Sequence, residues 1–263
     1  MLTATFIHAP GVGQTTERSL WQQGAVTWSA FLELSDSLKI TPRSRVALTD
    51  TVKTSIDRHA ARDVRYFARG LPKREHWRGL SSFGDRIGYL DIETDGGFDA
   101  NSVTVIGLYD GFEARTYVRG KDMAEFADDC REFDVFVTFF GGGFDVPFLI
   151  RRFPQLESVF ADRLHVDLCP LLKRVGHRGG LKSIERQIGI ARVEEAEGLD
   201  GNDAIRLWRI YRGGGPHAEE ALRLLLAYNR EDIVNLKTLL EYALPKLELE
   251  ARGIEPAPME AAA

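Results

Sequence analysis

An apolar run that ends in two acids constrains this chain more than any other feature: Ile87-Gly88-Tyr89-Leu90-Asp91-Ile92-Glu93-Thr94-Asp95-Gly96. The two-residue period of a β-strand puts Asp91 and Glu93 on one face, so both carboxylates point the same way. Like charges so placed repel, and a sheet core seldom buries them without a compensating partner such as a divalent cation. A solvated strand end beside the turn at Gly96-Gly97 is the other reading. What separates the two is whether the rest of the chain supplies further acids.

It does so at two places. Asp145 follows an apolar strand and the glycines Gly141, Gly142 and Gly143, at the N-cap position of a helix. The glycines remove side chains where a backbone has to approach something closely, and a polymer substrate is one candidate. In a long C-terminal helix, Tyr228 and Asp232 lie four apart on one face, among Leu224, Leu225, Val234 and Leu236. Asp91, Glu93, Asp145 and Asp232 offer hard oxygen ligands without His or Cys, the set that Mg²⁺ or Mn²⁺ prefers. Two such ions about 4 Å apart can activate a water and stabilise the leaving oxygen of a phosphodiester.

The surrounding pattern predicts strands over residues 87–92, 102–110 and 113–118, the last two joined at the hairpin signal Asp110-Gly111. A helix over 121–133, a strand over 135–140, a helix over 146–153 and a strand over 163–167 follow. Helices over 180–188, 202–211 and 216–243 come next. Residues 1–84 hold no strong strand and read as a helical N-terminal appendage, with helices over 16–23, 28–34 and 49–69. The last is capped at Thr49 or Asp50 and stopped by Gly70 and Pro72, so Arg58, Arg62, Arg65 and Arg69 should form one ridge. That ridge is either a solvated face or a phosphate-binding surface. Gly11-Val12-Gly13 is likewise open between a tight turn, with Trp21 and Trp28 as packing residues, and half of a helix-hairpin-helix phosphate cradle. His165 beside Asp167 reads as a satisfied structural pair in preference to an acid/base pair. An α/β domain spans 85–249, and the Ala/Glu/Pro-rich tail 250–263 is expected to be mobile.

The composition adds exclusions. With 44% hydrophobic and 28% charged residues among 263, disordered, collagenous and coiled-coil classes are disfavoured. Cys130 and Cys169 form neither a disulfide framework nor a zinc motif. No signal peptide or membrane-length apolar run is seen, and a cytoplasmic protein without membrane attachment is the expectation. The net charge of −5 conceals eleven Lys/Arg against four Asp/Glu between Lys39 and Arg78, a local +7. Local potential, not the sum, governs nucleic-acid contact.

The order Asp91-Ile92-Glu93, Phe144-Asp145 and Tyr228-x-x-x-Asp232 resembles the DEDD exonucleases of the ribonuclease H-like fold. The branch is the one with Tyr in the third motif, as in family B DNA polymerase proofreading domains. More closely, the chain resembles the YprB-type ribonuclease H-like domain, through Leu181-Lys182-Ser183-Ile184-Glu185, Ala204-Ile205-Arg206-Leu207-Trp208 and Tyr228-Asn229 besides the acids. The resemblance implies three antiparallel strands extended by two parallel ones, with helices on both faces. It also implies two Mg²⁺ or Mn²⁺ ions on Asp91, Glu93, Asp145 and Asp232, with Tyr228 orienting the attacking water. The activity it implies is 3′–5′ hydrolysis of single-stranded DNA or RNA ends. Thr94, Gly141 and Phe144, with Arg58, Arg62, Arg65 and Arg69, are the expected nucleic-acid contacts. Phe140 stands where relatives commonly carry Asn, which leaves a catalytically weak or inactive nucleic-acid-binding module as the alternative. A metal-dependent endonuclease of the same fold is a third reading.

Overall fold

Strand β1 (Ile87–Thr94) lies at the centre of a five-stranded sheet, apolar on both faces apart from its acids. β2 (Val103–Tyr109) and β3 (Ala114–Val118) extend it antiparallel on one side. β4 (Val135–Thr138) and β5 (Leu164–Asp167) extend it parallel on the other, giving the order β3-β2-β1-β4-β5. This is the mixed sheet that the sequence predicts. The structure, a computed structural model, describes residues 1–192 and 198–254.

Five helices precede the sheet: α1 (Gln14–Gln22), α2 (Trp28–Leu34), α3 (Pro42–Ala60), α4 (Val64–Gly70) and α5 (Leu80–Phe83). α6 (Phe126–Asp129) joins β3 to β4, while α7 (Asp145–Arg152) and α8 (Glu157–Ala161) join β4 to β5. α9 (Leu168–Arg174), α10 (Leu181–Ile188), α11 (Gly201–Gly213) and α12 (Ala218–Arg252) complete the described chain. Leu90, Ile92, Ile106 and Phe136 pack on one side of the sheet against Phe126, Phe148 and Phe160 of α6 to α8. On the opposite side Tyr89, Val135 and Val137 share an apolar cluster with Phe6 and Phe31 of the N-terminal region and Leu236 and Leu240 of α12. The N-terminal helices thus pack directly on the sheet. Among the described residues no helix is long and apolar enough to cross a membrane.

Several local expectations change. The helix expected over 49–69 begins at Pro42 and divides, because Arg62 is left-handed (φ +52°) and Asp63 caps α4 by accepting the Tyr66 N–H. The four arginines therefore form no single ridge. Arg58 pairs with Asp63, Arg62 with Asp85, and Arg65 and Arg69 both with Asp162. The segment 121–133 is not one helix but turns followed by α6 and a 3₁₀ turn, Cys130–Glu132. α12 continues past 243 through Pro245, since Leu247 and Ala251 remain buried on its inner side, and packing outweighs the missing N–H. The mobile tail expected over 250–263 is therefore contradicted at its start. Glu250 is helical and pairs with Arg174 at 2.6 Å, and left-handed Gly253 ends the helix. Residues 255–263 lie outside the described residues. Trp21 and Trp28 are packing residues whose indole N–H groups donate to the Ala4 and Thr5 carbonyls.

α12 can approach the sheet closely because Gly107 of β2, opposite Asp91, has no side chain. A Cβ there would lie 2.2 Å from Asn229 Oδ1 and 3.0 Å from Ile233 Cγ2. Relieving that overlap means displacing the buried Asn229 and Ile233 side chains or the helix that carries them, and overpacking of this kind typically costs about 1–3 kcal/mol. Gly107→Ala should lower urea-unfolding stability by about that amount. Wild-type stability in the variant would show that α12 does not need this close approach.

Candidate metal centre

Two elements build the acidic cluster. On β1, Asp91 and Glu93 alternate with Leu90 and Ile92, so the acids face α12 while the apolar pair faces α6 to α8. On α12, Asp232 lies one turn beyond Tyr228, and both are buried. One carboxylate oxygen from each of Asp91, Glu93 and Asp232 lies within 4.8 Å of the others. Glu93 and Asp232 are 8% and 4% exposed, and Asp91 is half-buried. Asn229 donates from Nδ2 to Asp91 Oδ2 at 2.9 Å and so fixes that carboxylate from the α12 side. An all-oxygen, mostly buried donor set of this density fits a hard divalent cation, whose charge would offset the mutual repulsion.

Asp145 has a different local role from the expected N-cap. Phe144 takes the cap position without a side-chain bond, and Asp145 is the first residue of α7. Its Oδ1 accepts the Ile92 N–H at 3.0 Å, tying α7 to β1 between the two strand acids. Asp145 is not part of the three-oxygen group, but its charge reaches it. Burial first, then repulsion from Asp232, Asp145 and Glu93, pushes the Asp91 pKa well above the carboxylate range, against the Asn229 hydrogen bond. Glu93 is raised by burial and by Asp232, with Lys182 opposing.

The loop after β4 explains its own glycines. A Cβ on Gly141 would lie 2.3 Å from Thr138 Oγ1, and one on Gly143 would lie 2.9 Å from the Phe140 ring. The close approach that demands glycine is therefore internal, and needs no polymer at those two positions. Asp167 holds the loop by accepting the Phe140 and Gly142 N–H groups at 2.8 and 3.0 Å. His165 bonds instead to Thr138 Oγ1, so the two are satisfied separately. Phe140 is left-handed (φ +64°) and 57% exposed, and Phe144 is 37% exposed beside Phe148. Thr94, Gly141 and Phe144 lie at or just beyond the carboxyl ends of β1 and β4. Arg58, Arg62, Arg65 and Arg69 belong to the N-terminal region.

Sequence reasoning missed the cations around the third motif. Lys182 of α10 donates to the Tyr228 hydroxyl at 2.8 Å, with its ammonium 4.0 Å from the ring centroid. Arg192 donates to Asp232 and, through two nitrogens at 2.7 and 2.8 Å, to Glu185. The run Lys182-Ser183-Ile184-Glu185 held a signal: a Lys and an acid three apart share one side of a helix. Arg192 gave none, since it follows the helix and reaches back from outside the motif.

The buried acids make pH a probe of the cluster. Burial raises Asp145 to about 7 against its backbone hydrogen bonds, and raises Asp232 to about 6 against Arg192. A raised folded-state pKa contributes stability fully below about pH 4, and the contribution is lost as pH rises through the folded value. His8 and His165, depressed by burial to about 4, act with opposite sign, so a difference measurement is needed. In EDTA, the stability of Asp145→Asn relative to wild type should increase between pH 4 and pH 7, as read by thermal melts. A difference independent of pH would show that Asp145 ionises normally.

A family model described as the RNase H superfamily matches residues 88–244. No curated protein matches the chain. Among solved structures, it is similar to the family B DNA polymerase from the hyperthermophilic archaeon Pyrobaculum calidifontis, at 20% identity and a TM-score of 0.48. That similarity covers 64% of this chain and 27% of the polymerase, so the chain spans about a quarter of the polymerase's length. The family match runs from the second residue of β1 into α12 and takes in every acid of the cluster, and the chain belongs to the RNase H superfamily.

Proposed function

We propose that this chain is a two-metal-ion-dependent 3′–5′ exonuclease that hydrolyses the ends of single-stranded DNA or RNA. It would be of the DEDD type, in the tyrosine-containing branch, and similar to YprB-type domains. The observation that carries the reading is the convergence of Asp91, Glu93 and Asp232 from β1 and α12 to within 4.8 Å. Asp91, Glu93 and Asp232 would hold one Mg²⁺ or Mn²⁺, and Asp91 with Asp145 the second. When bound, the ions supply water activation and charge stabilisation at the leaving oxygen.

The chain's own residues position the reactants. Burial and the neighbouring acids Asp232, Glu93 and Asp91 raise the Tyr228 pKa, so the phenol stays neutral and keeps its proton. Lys182 donates to the phenol oxygen, which leaves the Tyr228 O–H free to donate to a water beside Asp232. Tyr228 is thus an orienting donor and not a base. Thr94, Gly141 and Phe144, at the carboxyl edge of the sheet, are the proposed contacts to the terminal nucleotides. The four N-terminal arginines, already ion-paired, would contribute general positive potential at most.

Release of mononucleotides from 3′-labelled and 5′-labelled single strands with Mg²⁺ or Mn²⁺ tests the proposal. Asp91→Ala should lower turnover by at least about 10²-fold, and Tyr228→Phe by about 10²-fold. A covalently closed circular single strand should resist cleavage, because an exonuclease needs an end. Cleavage of the circle would assign an endonuclease. Binding without turnover in wild type and Asp91→Ala alike would leave a nucleic-acid-binding module.

A further inference from the structure

Asp232 has a support that none of the motif residues provides. α10 ends at Gly189, whose left-handed conformation (φ +81°) turns the chain back on itself. Arg192 thereby returns over Glu185, seven residues earlier, and grips it with Nε and Nη2 at 2.7 and 2.8 Å. Asn235, on α12, donates to the same Glu185 at 3.0 Å. Glu185 is 1% exposed and the Arg192 side chain 8%, so this is a buried, fixed pair. Nη2 of Arg192 also donates to Asp232 Oδ1. The other oxygen of Asp232 has no protein hydrogen bond among the described residues.

The electrostatics of this arrangement are specific. Glu185 offsets part of the Arg192 charge, so the pair opposes a cation next to Asp232 less than an unpaired guanidinium would. The planar guanidinium fork holds its orientation on Glu185 and presents one N–H to Asp232, where a lysine would present only a mobile point charge. Without it, Asp232 faces Asp91 and Glu93 with no hydrogen-bond donor from the described residues to fix its orientation.

We infer that Arg192, anchored by Glu185 and Asn235, is the positioning residue that holds Asp232 in the orientation for cation capture. The inference rests on the metal-dependent reading above. Its test is Mn²⁺ affinity, measured from free Mn²⁺ by electron paramagnetic resonance for the wild type, Arg192→Met, Arg192→Lys and Glu185→Gln. Thermal melts in EDTA establish that each variant is folded. Arg192→Met should weaken Mn²⁺ binding by about 10- to 100-fold, the usual effect of losing a partner behind a metal ligand. Arg192→Lys should recover part of the loss. Glu185→Gln should also weaken binding, and combined with Arg192→Met should cost little more than Arg192→Met alone, because the two act as one unit. A folded Arg192→Met protein with wild-type or tighter Mn²⁺ affinity overturns the inference. If that variant does not fold, unchanged affinity in both Arg192→Lys and Glu185→Gln overturns it equally. Wild-type protein that binds no Mn²⁺ removes the metal-dependent reading itself, an outcome visible before any variant is compared.

Discussion

Mutual repulsion among buried carboxylates governs how the rest of this molecule is arranged. Asp91 and Glu93 leave β1 on the same side, and α12 lays Asp232 across them where little solvent remains to screen the charges. Such a cluster persists in a folded protein only with compensation, from protons, from bound cations or from fixed donors. The fixed donors lie close by: Asn229 on Asp91, Arg192 on Asp232, and the Ile92 N–H on Asp145. Asn229 and the Ile92 N–H belong to α12 and β1, which the core packs in any case, whereas Arg192 lies in the chain beyond α10.

The sheet supplies the precision. β1 is central: β2 pairs with it through Asp91 and Glu93, while β4 pairs with its first residues, Ile87 to Tyr89, and leaves the other side of the acids open to α7. Gly107 lets α12 lie close enough for Asn229 to reach Asp91. The N-terminal helices brace the far end of α12. The buried Arg78 bridges Glu17 and Glu75, and Arg174 connects Glu75 to Glu250 near the C-terminus of that helix. Those contacts explain why α12 runs through Pro245 without ending there.

Local features of the sequence were readable wherever one element contained the whole signal. The two-residue alternation of Asp91 and Glu93, the four-residue step from Tyr228 to Asp232 and the Asp110-Gly111 hairpin each lie within one element or one turn. The arginine ridge failed because an apolar period continued across a break that one left-handed residue and one capping aspartate impose. The glycine loop invited a substrate explanation because Thr138 and Phe140, which need the space, are neighbours only after the chain turns. Asp145 looked like a cap because the Ile92 amide that it accepts from is 53 residues away in sequence.

The sequence by itself determined the sheet strands, the identity of the acids and the face each occupies within its own element. Those properties follow from backbone periodicity and side-chain chemistry over a few residues. Only the tertiary structure decided which acids meet, how closely, and which cations stand behind them. Lys182 on Tyr228 and Arg192 on Asp232 join residues 46 and 40 apart, and Asn229 on Asp91 spans 138. Such contacts depend on the approach of α12 to the sheet, which is set by packing across the core, and on where the glycine-capped reversal at Gly189 delivers Arg192, which the cap alone does not specify.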